Sequence, residues 1–556
     1  MAAPVNAVEL PPRYYLTNFL ALCAEVERQY ADLLDETEAE FLACFRALPQ
    51  DSQCLFLRMH SRVGPWFRSA RLQYEEIASI ADALDNLIEV GLAVEADMLD
   101  VDDLGQLYTV PELRELFSAE TMLPSRGTKA VLLEALAELD LDASVLATRA
   151  AQWEGQAVVA PLGAEYMALL QLLYFGNRRQ DLTEFVLSDL GVFRYVDYSL
   201  DREHRLFPNR QSLEEYLFCG ELADLYHLWH EQPEVDTLLE LASVIEETSF
   251  VHEASRRRWF RLSNRVARDL ERLNQCEAAL GLYRGSALHP ARERRARIHE
   301  RLQDWNDAEA LCSDIISAPW CEAEKEAAGK ILQRVRRKTR GEKAKRVPVM
   351  YEEVRLQVRP HSGSVERDTA RHLSKQWETV YYVENGLLNG LFGLAYWDQI
   401  FAPLPGAFTN PFQSVPADMY EQDFQLRRAD LLAARRAELE HGDLATELLA
   451  MARSNRDLQN RWVNWNLIDD ELLATALACV PREDLLAIFD RILFDPGENR
   501  RGFPDLIAFD GESRRYQMIE VKGPGDALQD GQKRWLNFFA ARNIPALVAW
   551  VSWDDD

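Results

Sequence analysis

Two acidic residues and a lysine fall at matching positions of a predicted hairpin near the C-terminus. Asp505 precedes a short apolar run, Glu520 and Lys522 close a second one, and the turn residues Asp510 and Gly511 lie between the two. A hairpin symmetric about residues 512 and 513 pairs Phe509 with Tyr516, Ile507 with Met518 and Asp505 with Glu520. Because side chains alternate along a strand, Lys522 shares the face of the two carboxylates.

This set of charges predicts hydrolysis of a phosphodiester with the help of a divalent cation. Two carboxylates side by side repel each other unless a cation lies between them, and hard oxygen ligands select Mg²⁺ or Mn²⁺. Such an ion activates water and stabilises negative charge on a phosphate. Lys522 can hold the attacking water or offset the charge on phosphorus. The spacing of Pro504-Asp505 and Glu520-Val521-Lys522 is similar to the PD-(D/E)xK nuclease superfamily. The alternative is a surface hairpin with ordinary charged residues.

Two more polar residues are expected near this hairpin. Glu384 precedes an apolar stretch, residues 387–401, that predicts a buried helix. Burial of Glu384 without a partner is unfavourable, and a shared cation supplies that partner. A glutamate stabilised at a helix N-terminus is the alternative. Gln532 lies on the predicted helix after the hairpin, where it points toward Lys522 to orient it or the water, unless it is an ordinary polar helix residue.

Composition sets the class of protein. The chain has 556 residues, 47% of them hydrophobic, which predicts a globular protein of about three or four domains. No apolar run approaches the ~18 residues of a membrane-spanning helix, and residues 1–9 lack the features of a secretory signal. The eight cysteines form no Cys-x-x-Cys pair, which argues against a zinc site. Reduced, buried thiols in a cytoplasmic, nucleoid-associated protein are therefore expected.

Charge is distributed unevenly. The net charge of −29 argues against general wrapping of nucleic acid. Residues 251–346, however, contain 23 Lys and Arg against 14 Asp and Glu. This basic middle indicates a localised phosphate-binding surface, or else a set of solvated helix faces. In the N-terminal region, four arginines interleave with aromatic residues and predict either a DNA-backbone face or a solvated helix rim: Arg58, Arg62, Arg68 and Arg71.

A compact helix-loop-helix is expected over residues 107–139. Thr109 followed by Glu112 predicts the start of one helix, and Thr128 predicts the start of the next. The pattern resembles a SAP module, a type that usually binds duplex DNA. The resemblance points to Arg126 and Lys129, beside the N-terminus of the second helix, as phosphate contacts.

A weak internal repeat covers residues 255–330. A shift of 32 residues aligns Leu270 with Leu302 and Asn274 with Asn306, and the period is similar to that of tetratricopeptide (TPR) repeats. Stacked helix pairs would place arginines on one concave face, where guanidinium groups suit the oxygens of a terminal DNA phosphate.

The C-terminal region resembles the VRR-NUC nuclease domain. The resemblance rests on Val383–Gly386, Phe503–Leu506, Glu520–Asp526 and Gln532–Trp535. The order of SAP-like module, helical repeats and VRR-NUC domain resembles the Fanconi-anaemia-associated nuclease family, in particular its bacterial members. The resemblance implies metal binding by the acids Glu384, Asp505 and Glu520 and the carbonyl of Val521, with Lys522 as catalytic lysine. It also implies an arginine pocket for a 5′-terminal phosphate, for which the candidates are Arg258, Arg261 and Arg292.

Together these observations predict a mostly α, multidomain protein. The expected parts are a helical DNA-binding region (1–100), a SAP-like module (101–142), a helical connecting region (143–250), TPR-like helical repeats (251–350) and an α/β, restriction-endonuclease-like VRR-NUC domain (365–556). The resemblance implies a Mg²⁺- or Mn²⁺-dependent nuclease that cuts 5′ flaps and branched DNA, degrades DNA 5′ to 3′ and acts in interstrand crosslink repair, as a monomer or as a dimer on DNA. A Holliday-junction-resolvase-like enzyme is one alternative, and a helical-repeat scaffold with an inactive nuclease fold is the other.

Overall fold

A computed structural model describes residues 11–62, 64–120, 123–124, 126–155, 157–189, 193–231, 234–342 and 351–554. The chain divides into two compact units, residues 1–192 and 193–556. Helices dominate both units, and the larger sheet lies at the C-terminal end of the second. The prediction of a mostly α protein with a C-terminal α/β part is therefore confirmed. The predicted absence of a secretory signal concerns residues 1–9, which lie outside the described residues.

The first unit is built from short helices around a small sheet. Its helices are α1 (Tyr14–Tyr30), α2 (Glu36–Ala47), α3 (Gln50–His60), α4 (Ile80–Glu89), α5 (Val101–Leu107), α6 (Val110–Leu116), α7 (Lys129–Ala137), α8 (Ala143–Glu154), α9 (Ala164–Phe175) and α10 (Thr183–Asp189). Its strands are β1 (Phe67–Arg68), β2 (Ala93–Glu95) and β3 (Val158–Pro161), which form an antiparallel sheet in the order β1-β3-β2.

Local capping sets the start of the helices in this unit. In α6, Glu112 accepts hydrogen bonds from the backbone N–H and the hydroxyl of Thr109, both at 2.8 Å, as the sequence predicts. In α2, Thr37 followed by Glu40 has the capping pattern in the sequence and predicts a start at Thr37, but the observed cap is Asp35. Asp35 accepts from the backbone N–H of Glu38 at 2.9 Å, and the Glu38 carboxylate accepts from the N–H of Asp35 at 2.8 Å. An aspartate two residues earlier thus starts the helix.

The second unit begins with an array of helices. Its helices are α11 (Arg210–Trp229), α12 (Val235–Glu247), α13 (Glu253–Arg272), α14 (Cys276–Gly285), α15 (Ala291–Leu302), α16 (Trp305–Ser317), α17 (Glu322–Arg340), α18 (Val365–Leu373), α19 (Gly386–Ala395), α20 (Trp397–Ile400), α21 (Phe424–Arg427), α22 (Ala429–His441), α23 (Leu444–Ser454), α24 (Asp470–Cys479), α25 (Arg482–Phe494), α26 (Pro496–Asn499) and α27 (Asp530–Arg542). From α13 to α17, each helix packs against the next one in the chain.

The helix pairs α13–α14 and α15–α16 repeat at a different period from the predicted one. Each pair turns through one residue with positive φ, Asn274 at +61° and Gln303 at +65°. The N–H that follows each turn residue donates to the carbonyl five residues earlier, from Gln275 to Leu270 and from Asp304 to His299. These turns are therefore related by a shift of 29 residues, and the predicted shift of 32 is wrong. The apolar residues at helical spacing allowed more than one alignment, and the turn geometry decides between them.

The sheet of the second unit has five strands in the order β4-β8-β7-β6-β5. The strands are β4 (Glu352–Val358), β5 (Thr379–Tyr382), β6 (Leu506–Asp510), β7 (Arg515–Lys522) and β8 (Ala546–Trp553). β6 is antiparallel to both β5 and β7, whereas β8 runs parallel to both β7 and β4. β4 lies ahead of residue 365, so the sheet begins before the expected start of the nuclease domain.

Side-chain alternation gives the sheet two buried faces. Ile507 and Phe509 of β6 enter a large core with helices α19 to α25 and α27, whereas Leu506 and Ala508 enter a smaller core with α18. Helices α19 to α26 all lie between β5 and β6 in the sequence, so this long helical insertion separates Glu384 from Asp505 along the chain. No helix in the described part of the chain is long and apolar enough to cross a bilayer.

Candidate active site

The β6–β7 hairpin has the predicted register. Ile507 lies opposite Met518 and Phe509 opposite Tyr516, and the pairing ends with Leu506 opposite Ile519. Beyond that point a side chain replaces the main-chain hydrogen bonds between the strands: Asp505 Oδ2 accepts a hydrogen bond of 2.9 Å from the backbone N–H of Val521. The hairpin backbone therefore fixes one of the predicted acids against the neighbouring strand.

Glu520 and Lys522 form a buried ion pair beside Asp505. Lys522 Nζ lies 2.9 Å from Glu520 Oε1, and the side chains are 10% and 1% exposed. The angles of this contact are not those of a hydrogen bond, so both carboxylate oxygens of Glu520 are buried without a hydrogen bond among the described residues. Buried oxygens of this kind require a partner of opposite charge.

Both hairpin carboxyl groups have raised pKa values. Burial raises the pKa of Glu520 to about 7, the charge of Asp505 adds to the effect, and Lys522 and Gln532 oppose it. Burial raises the pKa of Asp505 to about 6, against the lowering effect of the Val521 N–H and of Lys522. The charge of Asp505 thus disfavours the ionised form of Glu520, and the charges of Glu366 and Glu384 disfavour that of Asp505.

Glu384 joins this site through its backbone. Its N–H donates to the carbonyl of Asp505 at 3.0 Å, and its φ of +41° is unusual for a residue other than glycine. Its carboxylate is held by two donors: Oε2 accepts from the Tyr382 hydroxyl at 3.2 Å and Oε1 from Asn385 Nδ2 at 3.3 Å. Within the described ranges, no three His, Cys, Asp or Glu side chains converge into a ready metal cluster.

The residues at the hairpin nevertheless fit a divalent cation. Asp505 and Glu520 supply neighbouring carboxylates with raised pKa values, and among the described residues the oxygens of Glu520 have the ion pair with Lys522 but no hydrogen bond of regular geometry. An ion of opposite charge offsets the cost of keeping both groups ionised when buried. The N–H and C=O of a strand residue point to the same side, so the carbonyl of Val521 lies on the side of Asp505.

Gln532 has a structural role that the sequence did not predict. Its Oε1 accepts a hydrogen bond of 2.9 Å from the backbone N–H of Gln529, so the side chain caps α27. It is also close enough to Glu520 to lower the pKa of that residue. Gly502, at φ +87°, approaches the same helix start, and a Cβ there would lie 2.9 Å from the backbone nitrogen of Gln532. Glycine is needed at this point for the loop that leads to Asp505.

Three residues of the site were missed from the sequence. Glu366, on the first turn of α18, is close enough to raise the pKa of Asp505. Tyr382 and Asn385 hold the carboxylate of Glu384. Glu366 has no signal in the sequence, since a glutamate in the first turn of a helix is common. Tyr382 and Asn385 adjoin Glu384, and that adjacency was the available signal.

Comparison with known proteins decides the family. The chain is 37% identical to the Fanconi-associated nuclease 1 homolog of Pseudomonas aeruginosa, over 100% of this chain and 98% of that protein. The chain belongs to the Fanconi-associated nuclease family. A family member from Arabidopsis thaliana is 25% identical over 96% of this chain and 66% of its own length. A crystal structure of paFAN1 bound to 5′-flap DNA with a 2-nucleotide flap and a gap has a TM-score of 0.83 and 35% identity, and each chain covers 100% of the other.

Three family models match separate parts of this Fanconi-associated nuclease. "FAN1, HTH domain" matches residues 13–94, "Fanconi anemia-associated nuclease SAP domain" matches 98–148 and "VRR-NUC domain" matches 442–553. The chain is thus a DNA-cleaving hydrolase, and a nuclease domain of this type implies the use of a divalent metal. The VRR-NUC match includes Asp505, Glu520 and Lys522, whereas Glu384 lies ahead of it, before the helical insertion.

The three arginines predicted to bind a 5′-phosphate in this family member contact different segments. The guanidinium carbon of Arg258 lies 4.6 Å from the centre of the Tyr216 ring. Arg261 pairs with Glu421 at 2.5 Å. Arg292 pairs with Glu324, donates to the carbonyl of Ala318 at 2.9 Å and lies over Trp320. All three arginines therefore already contact protein groups.

Arg295, on α15, differs from Arg261 and Arg292 in its electrostatic surroundings. Three other arginines of α15 have carboxylate partners, Glu324 for Arg292, Glu271 for Arg294 and Glu293 for Arg297. No carboxylate pairs with Arg295 among the described residues, and its Nε is buried without a hydrogen bond. Burial and the neighbouring charges of Arg284 and Arg292 lower the pKa of Arg295. An anion bound beside Arg295 would offset the repulsion from these two neighbouring charges.

The candidate contacts of the SAP-like module lie at the surface of the first unit. Arg126 is exposed, and Lys129 lines a cleft of about 430 Å³ together with Arg62 and Arg71. Arg68 also lines the cleft but pairs with Glu112 at 3.0 Å, and Arg58 pairs with Glu76 at 2.6 Å. Arg71 also pairs with Glu112 at 3.0 Å, so three of the four arginines of the N-terminal region line the cleft and two of these three share one carboxylate.

Proposed function

We propose that the chain is a Mg²⁺- or Mn²⁺-dependent, structure-specific nuclease that cuts 5′ flaps and branched DNA. The observation that carries the proposal is the pair of acids formed by Asp505, just before β6, and the buried Glu520 of β7, beside Lys522. A relative of known structure binds 5′-flap DNA, and its whole chain matches this one. We extend that substrate to this chain.

The metal site uses four residues in this proposal. Asp505 and Glu520 are the central ligands, the Val521 carbonyl adds a neutral oxygen, and Glu384, whose backbone N–H donates to the Asp505 carbonyl, completes the set. A divalent cation, when bound, supplies activation of water and stabilisation of charge on the scissile phosphate. Mg²⁺ and Mn²⁺ suit ligands that are all oxygen.

Lys522 is proposed to donate hydrogen bonds close to the scissile phosphate. Its ammonium group lies 2.9 Å from Glu520 and is 10% exposed, so it is held in place by burial. When Glu520 serves as a ligand, the hydrogens of Lys522 can be donated to the attacking water or to a phosphate oxygen. Gln532 limits the movement of this pair because it caps α27 beside Glu520.

DNA is recognised by its shape and by its 5′ end. We assign the 5′-terminal phosphate to Arg295 with Arg284 and Arg292, since guanidinium groups without enough carboxylates attract a phosphate. Arg258 and Arg261 of α13 remain candidates for the adjoining backbone. Arg126 and Lys129 are assigned to the duplex arm. Contacts of this kind are made to DNA phosphates and not to bases. The specificity of the nuclease therefore depends on the shape of the DNA more than on its base sequence.

The wider role follows from the family. We propose 5′-to-3′ degradation after the first cut, action in interstrand crosslink repair, and a cytoplasmic, nucleoid-associated location. A single chain contains the complete set of site residues, which supports a monomer in the resting state; a dimer on DNA stays open to measurement. The five expected domain ranges are retained in this proposal, with β4 added to the nuclease part.

Cleavage of a panel of DNA structures tests the proposal. The wild type in Mn²⁺ should cut a 5′-phosphorylated 5′ flap in the duplex near the junction and leave blunt linear duplex largely intact. Asp505→Asn should bind the flap but not cut it. Glu512→Gln, in the exposed hairpin turn, is the matched control and should cut normally. Preferred cutting of a four-way junction would favour a resolvase, and no cutting of any DNA would favour a binding scaffold.

A further inference from the structure

The carboxylate of Glu384 is held by two donors, one on each oxygen. The Tyr382 hydroxyl donates to Oε2 at 3.2 Å and Asn385 Nδ2 donates to Oε1 at 3.3 Å. We propose that Tyr382 and Asn385 are positioning residues, which preset the carboxylate of Glu384 for the divalent cation. The proposal rests on the function proposed above, in which Glu384 is a metal ligand.

Glu384 needs such support more than the other two acids. Asp505 is fixed by the Val521 N–H, and Glu520 is fully buried. Glu384 lies at the exposed rim of the site, with its backbone held at a positive φ. An exposed glutamate samples several rotamers, and ordering it opposes metal binding. Hydrogen bonds to a metal-ligating carboxylate orient it and typically affect metal affinity by about 10- to 100-fold.

The position of Tyr382 on β5 directs its hydroxyl to Oε2 of Glu384. It is the last residue of β5, an edge strand, and pairs with Leu506, the residue after Asp505. Its ring is 43% exposed, so no packing requirement explains the contact. Its hydroxyl is a hydrogen-bond donor within 3.2 Å of Glu384 Oε2.

Asn385 links the other oxygen to the loop that carries Asp505. Its Nδ2 donates to Glu384, while its Oδ1 accepts from the backbone N–H of Phe503 at 3.2 Å. Phe503 lies two residues before Asp505 in the same loop. A single amide side chain thus joins the two ligand segments, which the helical insertion separates by more than one hundred residues in the sequence.

Calorimetric titration of the full chain with Mn²⁺, without DNA, tests the positioning role. Tyr382→Phe and Asn385→Ala should each weaken Mn²⁺ binding by about tenfold. Tyr381→Phe is the matched control, because Tyr381 points to the opposite face of β5 and packs against Phe509. It should bind Mn²⁺ like the wild type. In flap cleavage, both positioning variants should need more Mn²⁺ for half-maximal rate, with kcat at saturating Mn²⁺ reduced less than the affinity.

Thermal melting in EDTA shows whether each variant is folded before it is titrated. Equal Mn²⁺ affinity for wild type, Tyr382→Phe and Asn385→Ala would overturn the proposal, and so would tighter binding, which would mean that the two donors compete with the metal. Glu384→Ala separates the two levels of inference. If Glu384→Ala binds Mn²⁺ weakly while the positioning variants bind normally, only this inference is wrong. If Glu384→Ala also binds Mn²⁺ normally, the assignment of Glu384 as a metal ligand in the proposed function is wrong as well.

Discussion

Asp505 Oδ2 accepts a hydrogen bond of 2.9 Å from the backbone N–H of Val521, at the point where main-chain pairing between β6 and β7 ends. A side-chain carboxylate thus takes the place of the next main-chain partner. The bond holds Asp505 beside Glu520 and leaves the second oxygen of Asp505 available. The register of the hairpin therefore determines the relative position of the two acids. A shift of one residue between β6 and β7 would place Asp505 and Glu520 on opposite faces.

Glu520→Gln should abolish cleavage and stabilise the metal-free protein. The amide removes the charge that a cation needs, so we expect flap cleavage to fall at least about 100-fold. The same change removes a buried carboxyl group whose ionisation is unfavourable. In EDTA at about pH 8 the variant should be more stable by about 2 kcal/mol. Melting curves and initial rates measure the two effects.

Glu512→Gln serves as the control for Glu520→Gln, because it makes the same chemical change at an exposed position of the same hairpin. It should alter neither rate nor melting temperature. A Glu520→Gln protein that is inactive and also less stable in EDTA would contradict the argument, since it would show that Glu520 stabilises the fold without metal.

The pH dependence of stability should reveal the raised pKa of Glu520. Its pKa is about 7 in the folded chain against an ordinary value of 4.5. A raised folded-state pKa stabilises fully below the ordinary value, and that contribution is lost as pH rises through about 7. The stability difference between Glu520→Gln and wild type in EDTA should therefore grow from about pH 5 to about pH 8. A difference that stays constant over this range would show that Glu520 titrates normally.

Arg295→Gln should remove the preference for a 5′-phosphate. The wild type should bind a 5′-phosphorylated flap more tightly than the 5′-hydroxyl form by about 10-fold or more, the usual size of a charge-assisted contact. In the variant the two affinities should be about equal. Arg297→Gln, on the same helix but paired with Glu293, should keep the preference. Fluorescence anisotropy with matched oligonucleotides gives the ratio directly, and loss of the preference in both variants would assign the effect to α15 as a whole.

Glu421→Gln should strengthen binding of 5′-phosphorylated DNA if Arg261 contacts the backbone near the 5′ end. Glu421 lies 2.5 Å from Arg261, at partly exposed positions, and competes with phosphate for the guanidinium group. Such pairs contribute about 0.2–1 kcal/mol, so the gain should be a few-fold at most. The gain should vanish when Arg261→Gln is also present. Additive effects of the two changes would show that Arg261 is not the group released.

Glu112→Gln should destabilise the first unit. Glu112 pairs with Arg68, whose side chain is 7% exposed, and removal of the charge leaves that guanidinium buried without its partner. We expect a loss of about 3 kcal/mol in the unfolding of this unit. Hydrogen bonds from Thr109 and the charge of Arg68 lower the pKa of Glu112 to about 2, so this contribution is lost only as pH falls below 4.5 toward that value. Glu115→Gln, exposed on the same helix, should have no effect in urea unfolding at pH 7.

Short-range order was the part of this protein that its sequence predicted best. The apolar residues of the two strands and the turn signal at Asp510 and Gly511 predicted the register of β6 and β7. In that register Ile507 lies opposite Met518 and Phe509 lies opposite Tyr516. The capping pattern of Thr109 and Glu112 fixed the start of α6. Each of these features depends on residues within one hairpin or one turn of helix, where local physics leaves few alternatives.

The repeat of the helical array shows where local patterns fail. Apolar residues at helical spacing align at several shifts, and the predicted 32-residue shift matched residue types as well as the observed 29-residue shift matches turns. The capping of α2 failed for a similar reason, since Asp35 and Thr37 both suit a helix start. Packing against neighbouring helices selects one among nearly equal local choices.

The sequence by itself determined the chemistry of the hairpin, the mostly helical architecture and the family. Residue types and spacing were sufficient because Asp505 immediately precedes β6, and Glu520 and Lys522 lie on β7, the next strand. Only the tertiary structure decided which distant groups complete the site and which arginines lack a carboxylate. Glu384 and Glu366 approach Asp505 through the packing of β5 and α18 on the sheet, and Arg295 differs from its neighbours on α15 only in what faces it. Contacts between segments that are far apart in the chain depend on three-dimensional packing, which no local pattern encodes.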